Sequence, residues 1–191
     1  AGFDDVTIPT PIASPNEYGY RNKMEFSFAA RRWLTHDEIS SGEEFRRDFA
    51  LGLHAPGAYD RVMDMDVCPL QSETANAYLD ATREFALMSG EEPYHLRKNT
   101  GFYRYLILRR GVNTDQMLVL LITTERKQDV MEAYVAHLAA RGLEPTCVAN
   151  GVTDRLGSTS EGAEIHVDLG DGLLHERLKD ATFALAPDSF F

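Results

Sequence analysis

Few residues in this chain have types and spacings that could do chemistry. Cys68 stands in Val67-Cys68-Pro69-Leu70, between a strand-like segment and a helix-like one. In a Cys-Pro pair the proline shapes the turn at a possible iron–sulfur ligand, but a cluster takes about four thiolates. The chain has two cysteines, so on its residues alone Cys68 reads as structural. Cys147, in the apolar Cys147-Val148-Ala149, reads as a plain buried thiol. The histidines at 36, 54, 95, 137, 166 and 175 show no metal-binding spacing, and His137 is expected on the exposed or boundary side of its helix. Gly157-Ser158-Thr159-Ser160 lacks the spacing of a phosphate-binding loop, and there is neither a dinucleotide-binding glycine motif nor a nucleophile elbow.

Charge is the other feature that could carry function. The net charge of −11 argues against a nucleic-acid partner, because phosphate recognition needs clustered Lys and Arg. Its distribution argues differently. Residues 20–34 hold Arg21, Lys23, Arg31 and Arg32 against Glu25 alone, and residues 97–110 hold Arg97, Lys98, Arg104, Arg109 and Arg110 with no acid. Those two stretches carry +8 and leave −19 for the rest. A basic face on an acidic body fits this, as do the solvated sides of two strands.

The elements that must position these residues follow from periodicity. Residues 1–19, with Pro9, Pro11, Pro15 and Gly19, read as an extended lead-in. Met24, Phe26 and Phe28 alternate with polar residues as in a half-buried strand. Residues 35–48 read as a polar loop, followed by strands at 49–54 and 61–65 around a Pro56-Gly57 turn. Ala75, Tyr78, Leu79, Thr82, Phe85 and Ala86 share one face of a helix over 72–88, with Ser72 as N-cap. Strands at 102–110 and 116–124 flank a hairpin turn. A second helix over 127–141 presents Val130, Tyr134, Val135 and Leu138, and strands follow at 146–153, 163–169 and 173–178, the last two joined by Gly170-Asp171-Gly172. The expected fold is α+β: a mainly antiparallel sheet with two helices packed on one face and a C-terminal β-hairpin. The expected units are the lead-in, a central domain over 20–155, and a hairpin unit over 156–191. No apolar run approaches the ~20 residues of a membrane span, and the start has no signal-peptide pattern, so the expected compartment is the cytoplasm.

Five motifs in order carry a resemblance. They are Tyr18-Gly19-Tyr20-Arg21-Asn22-Lys23-Met24-Glu25-Phe26, Leu51-Gly52-Leu53-His54-Ala55-Pro56-Gly57, Asp64-Met65-Asp66-Val67-Cys68-Pro69-Leu70, Gly101-Phe102-Tyr103-Arg104 and Ala186-Pro187-Asp188-Ser189-Phe190-Phe191. Together they resemble the RNA (uracil-5-)-methyltransferases, which form 5-methyluridine in 23S ribosomal RNA and transfer RNA.

The resemblance implies a parent with an RNA-binding central domain, matched by this chain, and a Rossmann-like S-adenosylmethionine domain of which only the first edge is matched. It implies covalent catalysis on a flipped uracil, by a cysteine beyond this chain, so that neither Cys68 nor Cys147 takes that role. Cys68 matches the last of four 4Fe–4S ligands in cluster-bearing members, and the other three have no counterpart here. Phe190 matches the aromatic beside the substrate base. Arg21, Asn22 and Lys23, with Arg104 nearby in the sheet, are the expected RNA contacts. The chain is thus expected to be a truncated, catalytically silent, monomeric piece of the enzyme, with ribosomal RNA the favoured substrate. A stand-alone α+β protein-interaction module is the alternative, favoured by the acidic net charge.

Overall fold

In the computed structural model, residues 9–157, 160 and 162–189 are described. Ten strands and three helices follow in the order β1 (Lys23–Ala29), β2 (Arg32–Trp33), α1 (His36–Ser41), β3 (Ala50–Ala55), β4 (Ala58–Asp64), α2 (Glu73–Met88), β5 (Tyr103–Gly111), β6 (Gln116–Thr123), α3 (Gln128–Ala140), β7 (Cys147–Val152), β8 (Glu164–Leu169), β9 (Leu174–Leu178) and β10 (Ala181–Leu185). Eight strands form one sheet in the order β2-β4-β3-β1-β5-β6-β7-β8, and β9 pairs with β10 in a second, two-stranded sheet.

The α+β class holds, but the sheet is mixed. Five neighbouring pairs are antiparallel, while β2 runs parallel to β4 and β6 parallel to β7. The reason for the second parallel pair lies in the connection. Residues between β6 and β7 include all of α3, which gives the chain the length to cross over and return in the same direction. The expected hairpin of 163–169 with 173–178 is also corrected: β8 joins β7 on the main sheet, and β9 leaves to pair with β10. Residues 35–48 are not wholly loop, because Thr35 and Glu38 form a reciprocal capping box that starts α1.

The two long helices lie on one face of the sheet. Met24, Phe26, Phe28, Leu106, Leu108, Val119 and Leu121 point toward Tyr78, Leu79 and Phe85 of α2 and Met131, Tyr134 and Leu138 of α3. Met131, rather than Val130, is the fully buried residue of α3's first turn. His137 is drawn into the helix–helix contact, with Nε2 3.1 Å from the Ala81 carbonyl. On the opposite face Tyr105, Ile107, Leu118, Leu120 and Ile122 pack with Leu174 and Leu185 of the β9–β10 hairpin. Both faces of β5 and β6 are therefore covered, which is why Met117–Ile122 reads as a continuous apolar run.

Candidate nucleic-acid interface

The first and third motifs meet in space. The Gly19 amide donates to the Pro69 carbonyl at 2.9 Å and the Arg21 amide to the Leu70 carbonyl at 2.8 Å. The Cys-Pro-Leu turn is itself locked by α2: Asn76 Oδ1 accepts from the Cys68 amide at 2.9 Å, and Asn76 Nδ2 donates to the Cys68 carbonyl at 3.1 Å. This brace holds up an exposed strip made of Tyr18, Tyr20, Arg21 and Asn22. Aromatic rings, a guanidinium and an amide are the groups that stack on and hydrogen-bond to unpaired RNA bases.

Lys23 stands on the other side of the sheet from the helices and is paired in register with Arg109 across the β1–β5 ladder. Its Nζ donates to the Ser189 carbonyl at 3.1 Å, and Arg109 donates to the same oxygen. Burial and the Arg109 guanidinium push the Lys23 ammonium below its ordinary pKa, with Glu25 opposing. Burial likewise lowers Arg109, against the pull of Asp188. Lys23 is thus an inward-holding residue as well as a member of the motif.

Arg104 does not stand on an open surface either. It has no register partner on β6, where the ladder shifts between Tyr103 and Tyr105, and it is 2% exposed. Its Nη1 donates to the carbonyls of Thr153 at 3.3 Å and Arg155 at 2.6 Å, and its Nη2 to that of Gly157 at 2.5 Å. The guanidinium also lies under the Tyr94 ring, 4.5 Å from its centroid. Arg104 is a post joining two loops, and the direct RNA contact expected of it gives way to that geometry.

Cys68 is buried in the helix-side core and Cys147 in the cluster on the opposite face. Burial pushes the Cys147 thiol up, which disfavours the thiolate a nucleophile or ligand needs. Among the described residues no group of three or more His, Cys, Asp and Glu could hold a metal ion. One sulfur on each side of a sheet does not fit a 4Fe–4S cluster. Phe190 lies outside the described residues. Among them, no helix is long and apolar enough to cross a membrane.

Arg31 and Arg97 belong to the two basic stretches, yet only the fold shows that they converge on Asp60.

No family model matches the chain. Among curated proteins, it is 36% identical over its full length to an uncharacterized RNA methyltransferase of Chlorobaculum tepidum, of which it covers 40%. It is 29% identical, over 90% of its length, to an uncharacterized RNA methyltransferase of Bacteroides thetaiotaomicron, of which it covers 38%. Among solved structures, 94% of the chain matches the tRNA (uracil-54, C5)-methyltransferase of Pyrococcus abyssi in complex with S-adenosyl-L-homocysteine, with a TM-score of 0.69 at 21% identity and 38% of that chain covered. The chain thus spans about two fifths of the length of these relatives.

Proposed function

We propose that this chain, similar over its length to RNA methyltransferases, is the RNA-positioning part of an S-adenosylmethionine-dependent enzyme that methylates carbon-5 of uracil, with ribosomal RNA the favoured substrate. The observation that carries the reading is the end-to-end match to an RNA methyltransferase at 36% identity. The uracil-5 specificity is supported by the five ordered motifs and by the fold shared with the Pyrococcus abyssi enzyme. The role within the enzyme is positioning rather than chemistry, since both thiols are buried in separate clusters. In this reading the exposed Tyr18, Tyr20, Arg21 and Asn22 meet an unpaired RNA segment, while Lys23 holds the Ser189 backbone beside them and Arg104 braces the far end of the same ladder. The methyl donor and any cluster belong to parts of the enzyme that these residues do not form.

The test is fluorescence anisotropy of the chain with a labelled single-stranded oligoribonucleotide across a salt series. Affinity is expected to fall as salt rises, and Arg21→Ala and Tyr20→Ala are each expected to weaken it several-fold. Binding that ignores both salt and these substitutions would sink the reading.

A further inference from the structure

The two basic stretches come together a second time, far from the motif strip. Arg31 Nη1 and Arg97 Nε reach the same Asp60 oxygen, Oδ2. The Asp60 side chain is only 5% exposed, while Arg31 is 28% and Arg97 56% exposed. Burial alone would raise the Asp60 carboxyl, but the two guanidinium groups outweigh it and hold it below the usual range. An ionised carboxylate between two guanidiniums leaves one positive charge in surplus. Each guanidinium has five N–H donors in a planar fork, and the shared Asp60 oxygen engages one nitrogen of each.

The geometry is held rather than mobile. Arg97 sits at the tip of a loop in which the His95 carbonyl accepts from the Lys98 amide at 3.0 Å and the Asn99 amide at 2.8 Å, and the His95 amide donates to Thr100 at 2.6 Å. The Tyr94 hydroxyl closes the loop on Asn99 at 3.2 Å. At its end, Gly101 has φ +115° and lies so close to Pro93 that a Cβ would stand 2.4 Å from the Pro93 carbonyl oxygen. Below, Tyr94 rests on the buried Arg104. His54 lines the same cleft as Arg31, Asp60 and His95. Tyr59, largely exposed, adds to the surroundings that keep the Arg97 guanidinium charged, after Asp60.

From this we infer that Arg31 and Arg97, held side by side by Asp60, form a receptor for one phosphodiester of the bound RNA, with Tyr59 offering its ring to the adjoining base. The inference rests on the proposed RNA-positioning role and adds a second point of contact to it. A phosphate oxygen pair matches the fork of a guanidinium, and the surplus charge matches one phosphodiester. An exposed tyrosine beside the same arginine adds a stacking surface, which an acidic peptide would leave unused. Asp60 is a positioning residue here and touches no RNA itself.

The test uses the same anisotropy titration on the full chain, with Arg97→Gln, Arg97→Lys and Asp60→Asn. Arg97→Gln is expected to weaken RNA binding about 3- to 10-fold and to make the slope of log K against log salt shallower by roughly 0.7, the share of one phosphate on a single strand. Arg97→Lys restores part of the affinity, because the charge returns without the fork. Asp60→Asn is the sharper probe. Removing an acid would strengthen binding governed by net charge alone, whereas loss of the brace weakens it. Arg97 stands half in solvent, so its variants decide the matter if Asp60→Asn does not fold. Unchanged affinity and slope for Arg97→Gln, tighter binding by a folded Asp60→Asn, or equal competition by polyglutamate would each overturn the inference. If the unsubstituted chain binds no RNA at any salt, the RNA-positioning reading fails with it; if Arg21→Ala weakens binding and Arg97→Gln does not, only this inference fails.

Discussion

The two ends of the β1–β5 ladder are built from the same materials and use them in opposite ways. At one end Lys23 and Arg109 sit side by side in register, with Arg109 2% exposed, and both donate to the Ser189 backbone carbonyl. At the other end Arg31 and Arg97 share a carboxylate and keep their outer faces in water. The ends lie roughly 20 Å apart, at about 3.3 Å per residue along the seven-residue β1. Desolvation separates them. A cation under a covering segment has a lowered pKa and is matched by backbone, while one at a rim stays charged and can trade water for a ligand's oxygens. A run of Arg and Lys in the sequence is therefore not a single functional surface. The Lys23–Arg109 pair orders the protein, and the Arg31–Arg97 pair is placed to order RNA.

Substitutions at each end should break this comparison or sharpen it. The largest effect is expected at Arg104, the post beneath the exposed end. Arg104→Leu strands the three carbonyls of Thr153, Arg155 and Gly157 that it now satisfies. Buried hydrogen bonds to a charged group make this a loss of about 3–5 kcal/mol, read as a lower urea midpoint. A cost below about 1 kcal/mol would show that Arg104 is not a structural post.

Next comes Arg109→Met, expected to cost about 1–3 kcal/mol by removing one of the two cationic donors on the Ser189 carbonyl and leaving it to Lys23 alone. It should speed amide exchange over residues 186–189 and leave RNA affinity unchanged, the mirror image of Arg97→Gln. Arg109→Lys should recover part of the protection. If Arg109→Met weakened RNA binding as much as Arg97→Gln does, the two ends would not differ in kind.

How far these roles can be read from the sequence depends on how local their causes are. The helix at 72–88 was legible almost to the residue, since its apolar face repeats cleanly and Ser72 caps it as expected. The capping-box spacing of Thr35 and Glu38 was present too, but six residues with Ile39 alone apolar and no buried face gave α1 no periodicity. Gly170-Asp171-Gly172 has the composition of a hairpin turn, and composition does not say which strand comes next to which; there the chain leaves the main sheet. The motif residues of the candidate interface were legible as a set, and the fold brings Arg21 against the Cys-Pro-Leu turn. Whether a given cation faces water was not legible. Residues 103–109 are buried on both faces, so period two carries no information there, and a one-residue register shift turns Arg104 inward. The meeting of Arg31 with Arg97 depends on a separation of 66 positions, beyond the reach of any local pattern.

The smallest expected effect concerns pH and the hairpin beside the buried end. Glu176 on β9 accepts from the amides of Val112 at 2.5 Å and Asn113 at 3.0 Å, tying the hairpin to the β5–β6 turn. Burial would raise its carboxyl, but the Arg177, Asn113 and Val112 amides together lower it below the ordinary 4.5. A carboxylate with a lowered folded pKa contributes stability that is fully present above its unfolded value. That contribution is lost as pH falls from about 4.5 through the folded value. Acid should therefore quicken exchange of the Val112 and Asn113 amides in that window, once the intrinsic pH dependence is removed. Glu176→Gln should abolish the extra pH dependence, while leaving exchange in the 95–100 loop unaltered at neutral pH. Equal loosening of that loop by Glu176→Gln would mean the two ends are coupled through the sheet. Independence would leave the hairpin free to loosen without disturbing the Arg31–Arg97 pair.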